Sequence, residues 1–232
     1  MGRQPLAQEA HHHAHVDRSR LRGELEHRLV AAACRGTRRG KLAGLISETG
    51  AKAYPCDASS ATDVARLFQE VGSSIGAPQL VIYNASGRVR GPLVGLDPAA
   101  VERALAITAF GGFLVGQQAA RVMIERGSGV ILFTGASASV KGYAQSAPFA
   151  MGKFALRGLA QSMARELGPQ NVHVAHIVID GAIRSAANPD PADKPDSHLD
   201  PNAIADAYLH IAGQPRSAWT HEIEVRPWTE KF

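Results

Sequence analysis

The 232-residue sequence is poor in cysteine: Cys34 and Cys56 are the only two. That excludes a disulfide framework and fits a reducing, cytoplasmic setting. No apolar run approaches the roughly 20 residues that span a bilayer, and the opening MGRQPL has no signal-peptide core. A myristoylation signal is missing too, because position 6 is Leu6 rather than Ser or Thr. The expectation is a cytoplasmic protein with no membrane partner. Aromatic residues amount to 6%, and no basic face interleaved with aromatics or groove-reading motif is visible, so no nucleic-acid partner is expected. Metal-ligand spacing is also lacking. His173 and His176 lie three apart in one strand and so on opposite faces. The cluster at His11–His13 and His15 reads as part of a tail rather than a purposeful metal site.

What remains is ordinary for one large globular domain: 45% hydrophobic and 20% charged residues. The net charge of +4 is carried by the N-terminus. Residues 1–40 hold eight Arg against four acids, whereas residues 41–232 hold 17 bases and 17 acids. The chain therefore divides into a basic, His-rich segment, 1–40, and a domain, 41–232. From Lys41 on, short apolar runs alternate with amphipathic stretches, the rhythm of a parallel α/β sheet. Strands are expected at Ala51–Pro55, QLVIYN, GVILFTG, VHVAHIVI and HEIEV. Helices are expected to end near Glu48 and to cover Ala61–Val71, Val101–Glu125, Ser146–Leu167 and Pro201–Ala212. Ser59 or Ser60 is placed to cap the second of these. Arg184–Pro201 carries four prolines among short polar residues and reads as a long loop.

Five motifs fall in one register: CDAS, YNASG, FTGAS, Phe149-x-x-x-Lys153 and IDGAIRS. With them, residues 41–232 resemble the short-chain dehydrogenase/reductase family, whose Rossmann fold is a single-domain, doubly wound parallel α/β sheet. The resemblance implies NAD or NADP as cofactor and a carbonyl or alcohol as small-molecule substrate. It implies a homodimer or homotetramer as the assembly. It assigns Asp57 to the adenine pocket, Asn84, Ala85 and Ser86 to the cofactor crevice, Ile183 to the nicotinamide carboxamide and Lys153 to the nicotinamide ribose. In the family a phenol donates a proton to the developing alkoxide beside that lysine. Spacing of i and i+4 puts both groups on one helix face.

The chain departs from this pattern at three of four catalytic positions. Phe149 stands in the phenol's place and has no ionisable group, the serine slot is Ala136, and the asparagine slot is Thr108. The resemblance is to a divergent subgroup with Phe for Tyr. The candidate catalytic residues are Lys153, with Ser137 to polarise a carbonyl and Tyr143 or water to supply a proton. Each has a plainer reading: a solvated helix lysine, a turn-capping serine, an exposed tyrosine. Two other classes stay open, a non-catalytic Rossmann protein that binds a ligand or partner and a serine-dependent hydrolase in the same crevice. GASAS is not a nucleophile elbow, since position 139 is Ser139 rather than Gly.

A dinucleotide fold needs a first strand and a glycine turn at a helix N-terminus. Residues 1–40 contain neither, so that strand and turn are missing or degraded. Codons for Arg18-Ser19-Arg20-Leu21-Arg22, read one base later, permit Gly-Pro-Gly-Phe-Gly. The segment up to about residue 39 is accordingly read as an out-of-frame translation restored near Gly40-Lys41. As written, Arg20–Ala33 offers a substitute helix, with Leu21, Leu25, Leu29 and Ala32 on one face. The charge that would choose NAD or NADP falls near Arg38 and Arg39.

Overall fold

The computed structural model describes residues 30–33 and 43–230. Its elements run β1 (Val30–Ala33), α1 (Ala43–Thr49), β2 (Lys52–Pro55), α2 (Ala61–Ile75), β3 (Leu80–Tyr83), α3 (Pro98–Leu105) and α4 (Gly111–Arg126). Then follow β4 (Gly129–Thr134), α5 (Ala147–Leu167), β5 (Val172–Ile179), α6 (Pro201–Ala212) and β6 (Glu222–Val225). All pairings are parallel, β1 with β2 and β3-β4-β5-β6 in that order. No strand joins the two groups among the described residues.

All eight residues of β5 are buried, as a central parallel strand covered on both faces requires. The strand period of two sorts them. Val172 and Val174 join Ile131, Phe133, Met123 and Leu156 under α4 and α5, while Ala175, Ile177 and Ile179 join Leu132, Tyr208 and Ile211 under α6. Val64, Leu67 and Val71 of α2 pack with Cys56 and Leu114, and the Ser60 hydroxyl accepts from the Asp63 amide at its start.

Three expectations need correction. Val30–Ala33 is a strand paired in register with Lys52–Pro55, not the end of a substitute helix. The rest of that helix, the histidine cluster, Cys34, Arg38, Arg39 and most of the out-of-frame segment lie outside the described residues. The expected single helix Val101–Glu125 begins instead at Pro98, where the Asp97 carboxylate caps Ala99 and Ala100. It is then interrupted by a π-helical turn at Ala106–Phe110. There the Tyr83 hydroxyl donates to the Ile107 carbonyl, and Gly111 lets the helix approach closely: a Cβ there would lie 2.4 Å from the Tyr83 hydroxyl. Counted as one run, Pro98–Arg126 is also long and apolar enough by composition to cross a membrane, with mean hydropathy 1.4 over 18 residues. That corrects the expectation that no stretch approaches this length. Its Leu114, Ala119 and Met123 are nonetheless core residues of the sheet layer.

Candidate active site

Parallel pairing brings the carboxyl ends of β3, β4 and β5 to one edge, so Asn84–Ser86, Gly135–Ser137 and Asp180–Ile183 border one crevice. Helix α5 enters beneath it. Lys153 is 3% exposed, and its Nζ donates to the Thr134 carbonyl at 2.6 Å. Burial lowers its pKa to about 8. The Phe149 ring lies one turn earlier, with Lys153 Nζ 5.8 Å and the Arg88 guanidinium carbon 5.0 Å from its centroid.

Thr108, in the slot for asparagine, is 1% exposed. The Gly87 amide donates to its hydroxyl at 2.8 Å, and a Cβ on Gly152 would lie 2.9 Å from the Thr108 Cβ. The π turn therefore aims Thr108 between the loop after β3 and helix α5, a placement such turns commonly give to functional positions.

The other expected residues are placed less uniformly. Ser137 starts a short 3₁₀ turn, Ser137–Ser139, and is half-buried at the crevice. Ser139 is fully buried and its hydroxyl accepts from the Ala136 amide at 3.1 Å, a structural cap. Among the described residues no histidine is hydrogen-bonded to either serine. Tyr143 is 45% exposed. It engages Lys141, whose ammonium sits 5.7 Å from its ring centroid and whose pKa is raised chiefly by that phenol. Tyr143 is thus turned to Lys141. Asp57 follows β2 on the separate strand pair, where its Oδ1 accepts from the amide and hydroxyl of Ser59. Asn84 and Ser86 are exposed, Ala85 is half-buried, and Ile183 is 45% exposed with a bridge to Leu199.

Strand parity missed one cluster. His176, fully buried on the α5 face of β5, pairs through Nδ1 with Glu222 Oε2 at 3.1 Å. Arg157 holds both Glu222 oxygens at 2.7 and 2.6 Å. Burial lowers the His176 pKa to about 4, and the Arg157 hydrogen bond holds Glu222 below its usual range. His173, on the opposite face, stacks on Trp219 at 4.8 Å and pairs with the Thr220 carbonyl. The described residues contain no cluster fit for a metal. An apolar groove of about 430 Å³ lies between Leu93, Leu96, Val101, Leu105, Pro148 and Met151.

A parallel sheet wound on both faces, with a buried lysine and a loop-lined crevice at its strand ends, defines a dinucleotide-fold architecture. A family model described as enoyl-(acyl carrier protein) reductase matches residues 23–218, and the chain belongs to the short-chain dehydrogenase/reductase family. A 3α-hydroxysteroid dehydrogenase of Mediterraneibacter gnavus is 31% identical over 170 residues, 69% of this chain and 68% of that protein. Among solved structures, a short-chain dehydrogenase from Rhodopseudomonas palustris is 34% identical, with 86% of each chain covered and a TM-score of 0.72. A metagenomic short-chain oxidoreductase in complex with NADP is 25% identical, covers 88% of this chain and 86% of that one, and gives a TM-score of 0.73.

Proposed function

We propose that the protein is an NAD(P)-dependent oxidoreductase of a small carbonyl or alcohol substrate, working without the family's phenol. The observation that carries this reading is Lys153. An ammonium has three N–H donors, and the Thr134 carbonyl is its one hydrogen-bond partner among the described residues. Two donors remain, one for a ribose hydroxyl of a nicotinamide nucleotide and one for a water, with Asn84, Ala85, Ser86 and Ile183 around them and Asp57 toward the adenine. The residues present therefore fit the nicotinamide half. The pyrophosphate turn falls outside the described residues.

When bound, NAD(P)H supplies a hydride to the carbonyl carbon. The protein's part is to hold and protonate the oxygen. Ser137, half-buried at the crevice, hydrogen-bonds the carbonyl. Lys153 Nζ gives up a proton through a bridging water, the alkoxide oxygen gains it, and solvent reprotonates the amine. With a lysine pKa of about 8, carbonyl reduction falls as pH rises through that value and alcohol oxidation rises. Rate profiles followed by nicotinamide absorbance check this, and a reduction rate that is flat across that value contradicts it.

The absent phenol at Phe149 and the alanine at Ala136 favour a second reading, a non-catalytic protein that binds the nucleotide or another ligand. Binding of NADH or NADPH without turnover of any carbonyl or alcohol would select it. Ester hydrolysis lost on Ser137→Ala would select a hydrolase instead. Exposed Phe110, Phe113, Met151 and Phe154 on the π turn, α4 and α5 support a homodimer or homotetramer, and the low cysteine content supports a cytoplasmic setting.

A further inference from the structure

The loop after β3 is built to hold one arginine over Phe149. Its Gly87 amide is tied to the buried Thr108 hydroxyl at 2.8 Å, and a Cβ on Gly87 would lie 2.5 Å from the Ala104 Cα, so only glycine fits. At its far end the Gly91 amide donates to the Gln145 carbonyl at 3.1 Å, tying it to the turn before α5. Between these anchors, Arg88 and Arg90 are exposed and alternate with half-buried Val89.

Two cations share one ring, since Arg88 lies 5.0 Å and Lys153 5.8 Å from the Phe149 centroid. Neither forms an ion pair among the described residues. The buried carboxylate at this edge, Asp180, is matched by Lys141 at 3.9 Å and Arg226 at 3.5 Å. The mouth of the crevice is therefore cationic, and the exposed cation over the Phe149 ring is a planar guanidinium, which suits two-pronged capture of a carboxylate. A phenylalanine fits this arrangement, because its ring face carries the guanidinium without a hydroxyl competing for the anion.

Resting on the oxidoreductase reading of this crevice, we propose that Arg88 is a specificity residue and that the substrate is a carboxylic acid, an oxo or hydroxy acid whose carboxylate Arg88 holds. The test is calorimetric binding of phenylglyoxylate and of neutral acetophenone to the full chain, alone and with NADPH present. Binding of the acid is expected to weaken with salt and to exceed that of the ketone. In Arg88→Gln its affinity falls about 10- to 100-fold, the worth of a charged hydrogen bond, while Arg88→Lys recovers part of the loss. NADPH affinity and melting temperature stay unchanged in both variants. Equal binding of acid and ketone, no saturable binding of the acid, or an unchanged acid affinity in Arg88→Gln would overturn the proposal. So would an Arg88→Gln variant that loses NADPH affinity, for then the arginine serves the cofactor. Acid binding that persists where neither NADH nor NADPH binds would instead remove the oxidoreductase reading and leave an anion site.

Discussion

Phe149 and Lys153 occupy one helix face but carry opposite consequences. The ring cannot exchange a proton, whereas the lysine is buried where its charge is disfavoured. Restoring the phenol tests what was lost: Phe149→Tyr should raise turnover about tenfold or more, because a positioned general acid is worth roughly 10²–10⁴-fold. An unchanged rate would mean that proton transfer is not limiting. Lys153 also opposes stability at neutral pH. Its folded pKa lies below the unfolded value, so the unfolded chain binds the proton more readily, and stability rises with pH between about 8 and 10.5. Lys153→Met should therefore melt no lower than the parent while losing the crevice's function. The Phe-x-x-x-Lys pattern exposed both residues in the sequence. Arg88 was not legible, because nothing in ASGRVRG says which ring its guanidinium covers. His176 was legible only as a buried strand residue, since Glu222 and Arg157 reach it from distant segments.

The elements were more readable than their interruptions. VHVAHIVI and Pro201–Ala212 are strand and helix as expected, since continuous apolar character and a Pro-started amphipathic run are local signals. The π turn at Ala106–Phe110 was hidden, because one inserted residue barely disturbs helical periodicity and its hydrogen-bond partner, Tyr83, lies on a strand distant in sequence. The strand Val30–Ala33 was hidden by its brevity and its arginine-rich surroundings. Two predictions belong here. Gly87→Ala should destabilise the fold by about 1–3 kcal/mol, as overpacking against backbone does, measured by the urea midpoint. The tie from α5 through Glu222 of β6 to His176 of β5 should weaken in acid. Both His176 and Glu222 have lowered folded pKa values, so the unfolded state takes up protons first as pH falls. Through His176, stability should drop by up to about 3 kcal/mol between pH 6.5 and about 4, with a shallower decline in His176→Gln, while the Glu222 contribution is lost only below its ordinary value of 4.5.

At the scale of the molecule, a family fold follows an N-terminal segment of unlike sequence. The match to the family begins at residue 23 and the pairing of β1 with β2 continues it, while the glycine turn cannot be found in the written residues. If residues up to about 39 are an out-of-frame translation, codons for Arg18, Arg20 and Arg22 in the coding DNA end in G; any other base there removes that account. The exposed phenylalanines of α4 and α5 belong to this scale as well. Light scattering should find a dimer or tetramer that Phe113→Glu with Phe154→Glu dissociates, and a monomeric parent protein would contradict the assembly. The central claim is that a crevice without a phenol still holds a nicotinamide nucleotide through Lys153. Calorimetric titration of the full chain and of Lys153→Met with NADH and NADPH tests it most directly. Saturable binding of at least one nucleotide to the parent, lost in the variant, is the predicted result; no binding to either, or equal binding to both, would contradict it.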